Sequence, residues 1–115
     1  MARLVNVTRG AVLATDAHFA MTGRERRRGL LGRDSMNAGE AMLFPRRRQV
    51  HTFGMRFEID VLFLDRAGKA LRCVHNMKSW RLSPWALRAR ATIELPAGTL
   101  GRSGTEVSDI IQIGH

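Results

Sequence analysis

Cysteine is all but missing from this chain: a single thiol, Cys73, serves 115 residues. One thiol excludes an internal disulfide framework and suits a reducing compartment. Lysine is scarce as well, since Lys69 and Lys78 are the only lysines among nineteen basic residues. No apolar run approaches the ~20 residues of a membrane span. Asp16 and His18 break the N-terminal stretch that a secretory signal would keep apolar. A cytoplasmic protein with no membrane partner is expected. Repeats, low-complexity tracts and linker-like shifts in composition are also missing, so residues 1–115 read as one domain.

What is abundant is arginine. Ten acids against nineteen bases leave a net charge of +9. Guanidinium groups hold carboxylates and phosphates in planar, bidentate contacts, which points toward an anionic ligand or nucleic acid. The plainer reading is a surface solvated by arginine, because net charge governs solubility and non-specific association before it defines a site.

Alternation of apolar and small polar residues over Leu4 to Val7 and Ala11 to Ala14 predicts a first hairpin. Thr22 three residues before Glu25 forms a capping box, predicting a short amphipathic helix from Gly23 to Leu31 that Gly32 ends. "AMLFP" reads as a short strand stopped by Pro45, and a longer strand is predicted from Phe53 to Leu64. "DRAG" is turn chemistry returning the chain as "KALRCVH". "SP" at Ser83 predicts a turn or two of helix to about Ala89. "ATIEL", a glycine-punctuated loop around Gly101 and Gly104, and a last strand near Ile110 to Ile113 complete the chain. Short strands in hairpins with one or two short helices predict an α+β fold, a small curled antiparallel sheet of barrel-like form.

Within the longest apolar strand stands Asp60, between Ile59 and Val61. An unpaired carboxylate there carries a desolvation cost of several kcal/mol, so a cation and hydrogen-bond donors are expected beside it. The candidates are Arg26, Arg27, Arg28 and Arg33 near the helix, and Arg56 four residues earlier on the strand. Such a pair would tie helix to sheet, and it also suggests a cleft for a small polar or anionic ligand lined by Arg28 or Arg33, His51, Met55, Arg56 and Asp60.

"ERRRGLLGRDSM", "AMLFP", "HTFGMRFEIDVLFLD" and "IELPAG", in this order, resemble the domain of unknown function 192 family over almost the whole chain. The resemblance implies a compact α+β domain with a curled sheet and no established activity. It extends to Glu25, Gly29, Leu30 and Gly32 in the first block, Met42 to Phe44, Phe53, Met55 and Asp60 in the middle, and Glu94 to Gly98. The chain departs from the family pattern at Ala41 and Ser108, where glycine is usual, at Gly54, where a large aromatic is common, and at Glu58, where proline is.

Other constellations are weaker. Cys73 and His75 share one face of a strand, yet lie ~6–7 Å apart along it, too far for a direct hydrogen bond. His51, His75 and Asp60 lack the short fixed spacing of metal ligands, so no metal or cofactor is expected. Trp80 and Trp85 flank Arg81 as either an aromatic platform or a cap on the barrel. The arginine triplets at 26–28 and 46–48 would meet phosphates if they shared a face. The leading expectation is therefore a non-enzymatic ligand-binding or accessory domain, with non-specific nucleic-acid binding and a hydrolase using Asp60 and His51 as alternatives.

Overall fold

The computed structural model describes residues 2–114, leaving aside the side chains of residues 26–28. Alternate burial of Ala2, Leu4 and Asn6 makes β1 (Ala2–Asn6) a half-buried strand, and Gly10 at φ 66° turns the chain into β2 (Ala11–Phe19). Thr22 then starts α1 (Gly23–Arg28). Its hydroxyl accepts the Glu25 N–H at 3.0 Å while the Glu25 carboxylate accepts the Thr22 N–H at 3.1 Å. The helix stops at Gly29 rather than running to Gly32. A Cβ at position 29 would sit 3.3 Å from the Phe44 ring, so the close approach of β3 selects glycine and a break.

Next, β3 (Glu40–Pro45) pairs parallel to β2, with Asp16 opposite Glu40 and Phe19 opposite Leu43. This corrects the expectation of a wholly antiparallel sheet. Residues 20–39 carry α1 and are long enough for a crossover, which a parallel pair requires. The predicted strand from Phe53 begins only with β4 (Ile59–Leu64), because the Met55 N–H closes a turn on the Thr52 carbonyl at 3.1 Å and Gly54 adopts φ 80°. Gly68 at φ 83° then folds the chain into β5 (Ala70–Met77). The helix predicted after Ser83 is a series of turns instead. The Ser83 hydroxyl accepts the Val50 N–H at 2.9 Å and does not cap amides of its own segment. After β6 (Ala91–Pro96) comes α2 (Thr99–Ser103), in a segment read from sequence as loop, and then β7 (Ile111–Gly114).

The strands form one mixed seven-stranded sheet in the order β5-β4-β6-β3-β2-β1-β7. It curls until its two edges meet at one end, where Ala70 N–H donates to Asp109, Ser108 N–H to Ala70 and Ile111 N–H to Gly68, each at 2.8 Å. Because side chains alternate across a strand, β4 feeds two cores. Leu62 and Leu64 point inside the curl with Leu4, Leu43, Ile93 and Leu95, and Leu100 of α2 packs into the same interior. Ile59, Val61 and Phe63 point outward, beneath Leu30, Val50, Met55, Ala86 and Ala89 from the connecting segments.

Candidate functional site

Asp60 is fully buried, but its partners are not arginines. One carboxylate oxygen accepts the Leu100 N–H at 2.8 Å and the other accepts the Asn76 N–H at 2.8 Å. Leu100 lies in the first turn of α2, whose N-cap Gly98 offers no side chain, so Asp60 supplies from another strand the acceptor that a Ser or Asp N-cap would give locally. Asn76 stands at φ 48° within the register shift between β4 and β5. The same carboxylate therefore fixes a helix start and a strand irregularity. The expected arginine clasp is corrected: backbone amides satisfy the buried acid, and charge-assisted bonds of this kind are strong ones.

The residues grouped with Asp60 do not converge on it. Arg33 makes a two-pronged contact to Glu40 at 2.6 and 2.8 Å, which holds the Glu40 carboxyl below its ordinary range. Arg56 pairs with Asp34 at 2.9 Å on the exposed surface, and His51 is exposed and stacked on Phe53 at 5.2 Å. Met55 is buried in the outer core, across the sheet from the interior that Asp60 faces. The side chain of Arg28 lies outside the described residues. Cys73 packs against the inner core, and burial foremost, with nearby acids, pushes its thiol up to about 11, the opposite of an activated nucleophile. Among the described residues no group of three or more His, Cys, Asp or Glu is placed to hold a metal ion.

Two features went unread in the sequence. The first is Glu94, only 3% exposed in the middle of β6, opposite Met42 and Val61. Burial pushes its carboxyl up to about 7, with Arg47 pulling the other way. Its signal was in plain view, since "TIEL" interrupts an apolar strand just as "EIDVL" does.

The second is an open depression of about 710 Å³ walled by Arg48, Arg66, Arg88 and Arg90. Three separate segments deliver them. Arg66 sits in the Asp65–Gly68 turn; Arg88 and Arg90 flank the buried Ala89; and Arg48 is held where the Ala86 N–H donates to its carbonyl at 2.8 Å. The Arg90 N–H donates to Leu64 at 2.8 Å, bringing its segment against the end of β4. Asp65 is the one acid in the wall, and one of its oxygens already accepts from the Ala67 and Lys69 amides at 2.9 Å. No carboxylate among the described residues pairs with these four guanidinium groups. A neighbouring hollow of about 420 Å³ shares Asp65, Arg66, Ala67 and Arg90 and continues toward Ile111 and Ile113.

The model of DUF192, described as "Uncharacterized ACR, COG1430", matches residues 4–113. The chain belongs to the DUF192 family. Its architecture recurs in a protein of unknown function from Novosphingobium aromaticivorans DSM 12444, at TM-score 0.81 and 20% identity over 96% of this chain and 82% of that one. It recurs also in a Sinorhizobium meliloti 1021 protein described as a "putative transcription regulator", at TM-score 0.82 and 22% identity over 96% and 90% of the two chains. Likeness at this identity shows a shared fold and no shared activity. Among curated proteins, none matches. Ser108 holds φ 79°, the left-handed conformation that glycine adopts without strain. Ala41 is fully buried in the inner core.

Proposed function

We propose that this DUF192 domain binds a small anionic ligand, of the size and charge of a phosphate or diphosphate group, in the arginine-walled depression. One observation carries the reading: Arg48, Arg66, Arg88 and Arg90 line an open depression of about 710 Å³ with no carboxylate partner for any of them among the described residues. Four guanidinium groups gathered around a single acid, Asp65, repel one another, and an arriving anion relieves that repulsion while receiving fork-shaped N–H donors. None of the residues grouped with Asp60 in the sequence lines this depression, whose one acid is Asp65. A hydrolytic role for Asp60 with His51 gains no support, because the acid is engaged by two amides inside the curl and the imidazole is exposed and stacked on Phe53. A binding role in a reducing, cytoplasmic setting is consistent with the single, half-buried thiol.

Titration calorimetry with phosphate, pyrophosphate, sulfate and a dicarboxylate tests the reading. Binding of pyrophosphate that weakens with added salt is expected, and Arg88→Gln or Arg90→Gln should each cost about tenfold in affinity, the size of one lost charge-assisted hydrogen bond. Absence of heat with every anion, or affinity unchanged in both variants, would overturn it.

A further inference from the structure

The depression borders an apolar ribbon that the fold leaves uncovered. Residues 48–53 and 80–86 run antiparallel: the Trp80 N–H donates to Thr52 at 3.0 Å, the Thr52 N–H to Arg81 at 2.9 Å, the Ser83 N–H to Val50 at 2.8 Å and the Ala86 N–H to Arg48 at 2.8 Å. Ser83, Ala86 and Ala89 are buried and anchor the second strip, so the large residues between them stand outside. Trp80 is 65% exposed, Leu82 58%, Trp85 61% and Leu87 73%, with Phe53 beside them at 42%. Phe53 stacks between His51 and Trp80, at 5.2 and 6.1 Å, and Trp80 holds φ 62°, a conformation that costs energy for a bulky side chain. Leu87 lines the arginine-walled depression itself.

We propose that this ribbon and the adjoining arginines form a docking surface for an anionic lipid bilayer, with Trp80, Leu82, Trp85 and Leu87 entering the interface and Arg48, Arg66, Arg88 and Arg90 meeting the phosphates of the headgroups. The proposal rests on the anion-binding reading above and names the source of the anion. Three observations choose a bilayer over other occupants. Tryptophan favours the headgroup level of a membrane, and exposed leucines beside it extend the surface toward the acyl chains. Aliphatic Leu82 and Leu87 add nothing to base stacking, which is what single-stranded nucleic acid would require of such a ribbon. A second copy of the chain would bring together two molecules each carrying a net +9, whereas the cytoplasmic face of a membrane is negative. Contact is peripheral, because no helix among the described residues is long and apolar enough to cross a bilayer.

The experiment is co-sedimentation of the full chain with vesicles of phosphatidylcholine alone or mixed with phosphatidylglycerol, read alongside pyrophosphate calorimetry and binding of a single-stranded oligonucleotide. Expected are pelleting with the anionic vesicles only and a blue shift of tryptophan emission on binding. The exposed pair Leu82→Ser with Trp85→Ser, neither of which lines the depression, should weaken vesicle binding by at least about tenfold while leaving pyrophosphate affinity unchanged. Arg88→Gln should weaken both, by about fivefold for the vesicles. Pyrophosphate binding without vesicle binding would overturn the lipid proposal and leave the anion site standing; loss of both would overturn both. Equal binding to neutral vesicles, or oligonucleotide binding that outcompetes anionic vesicles, would also overturn the lipid proposal.

Discussion

Asp60 shows how a buried acid is read correctly as needing partners and incorrectly as needing a cation. Backbone amides leave no trace in the sequence, because every residue except proline carries one. In Asp60→Asn, the side-chain N–H₂ would face one of two N–H donors that now share the carboxylate. One buried amide is then left unsatisfied, at a cost of about 1–3 kcal/mol. Denaturant unfolding of Asp60→Asn should show that loss, whereas Arg56→Gln, which breaks an exposed pair with Asp34, should change stability by less than ~1 kcal/mol. An unchanged midpoint for Asp60→Asn would overturn its role as acceptor for the two amides. Glu94 is a buried acid of another kind, its ionisation opposed foremost by burial. Its carboxyl is raised from 4.5 to about 7, so the folded state holds a proton that the unfolded chain has released. Stability therefore falls as pH rises from about 4.5 to 7, by roughly 3 kcal/mol in all. Glu94→Gln removes the ionisation, and its melting temperature should exceed that of the parent above pH 7 while matching it near pH 4.

At the scale of elements, what was legible depended on whether the deciding contacts were local. The capping box at Thr22 and Glu25, the turn at Gly68 and the strands β1, β3, β5 and β6 follow from short-range pattern and were read closely. Helix α2 was not legible, since Gly98 lacks a capping side chain and the acceptor for Leu100 arrives from Asp60, forty residues earlier in the chain. The helix expected after Ser83 failed for the complementary reason: a residue with capping chemistry spends its hydroxyl on Val50. The parallel pairing of β2 with β3 is not legible in the sequence, because α1 alone is too short for a crossover and only residues 20–39 as a whole provide it. The arginine-walled depression was the least legible feature, being assembled from three segments with nothing in common but surface position. Gly68 offers a clean test of element-level control. A Cβ there would lie 2.5 Å from the Ile111 carbonyl oxygen, and φ 83° disfavours any side chain. Gly68→Ala should therefore separate the β4–β5 turn from β7 and destabilise the fold by about 1–3 kcal/mol, measurable as a lowered urea midpoint.

For the molecule as a whole, closure of the curl places a polar network at the junction of β1 with the segment entering β7. Asn6, fully buried, donates to Asp109 at 2.9 Å and to Thr105 at 3.0 Å, while Arg9 reaches Asp109 at 2.9 Å and Glu106 at 2.8 Å. These contacts join residues about a hundred positions apart, and so tie the start of the chain to its end. The Arg9 hydrogen bond first, then that from Asn6 and the Glu106 amide, hold the Asp109 carboxyl at about 2, below its ordinary 3.8. Stability supplied by Asp109 is present above pH 4 and is lost as pH falls from about 4 to 2. Glu94 removes stability on the other side, between about 4.5 and 7. The two limbs together draw the optimum of stability toward the acid side of the range where most proteins are most stable, ~5–8. A pH series of thermal melts should show that optimum in the parent. Glu94→Gln should flatten the alkaline limb alone, and Asp109→Asn the acid limb alone, because the two groups lie on different parts of the sheet and share no hydrogen-bond partner. If both variants kept the parent's profile, neither the buried acid of β6 nor the clasp at Asn6 would govern how protons act on this fold.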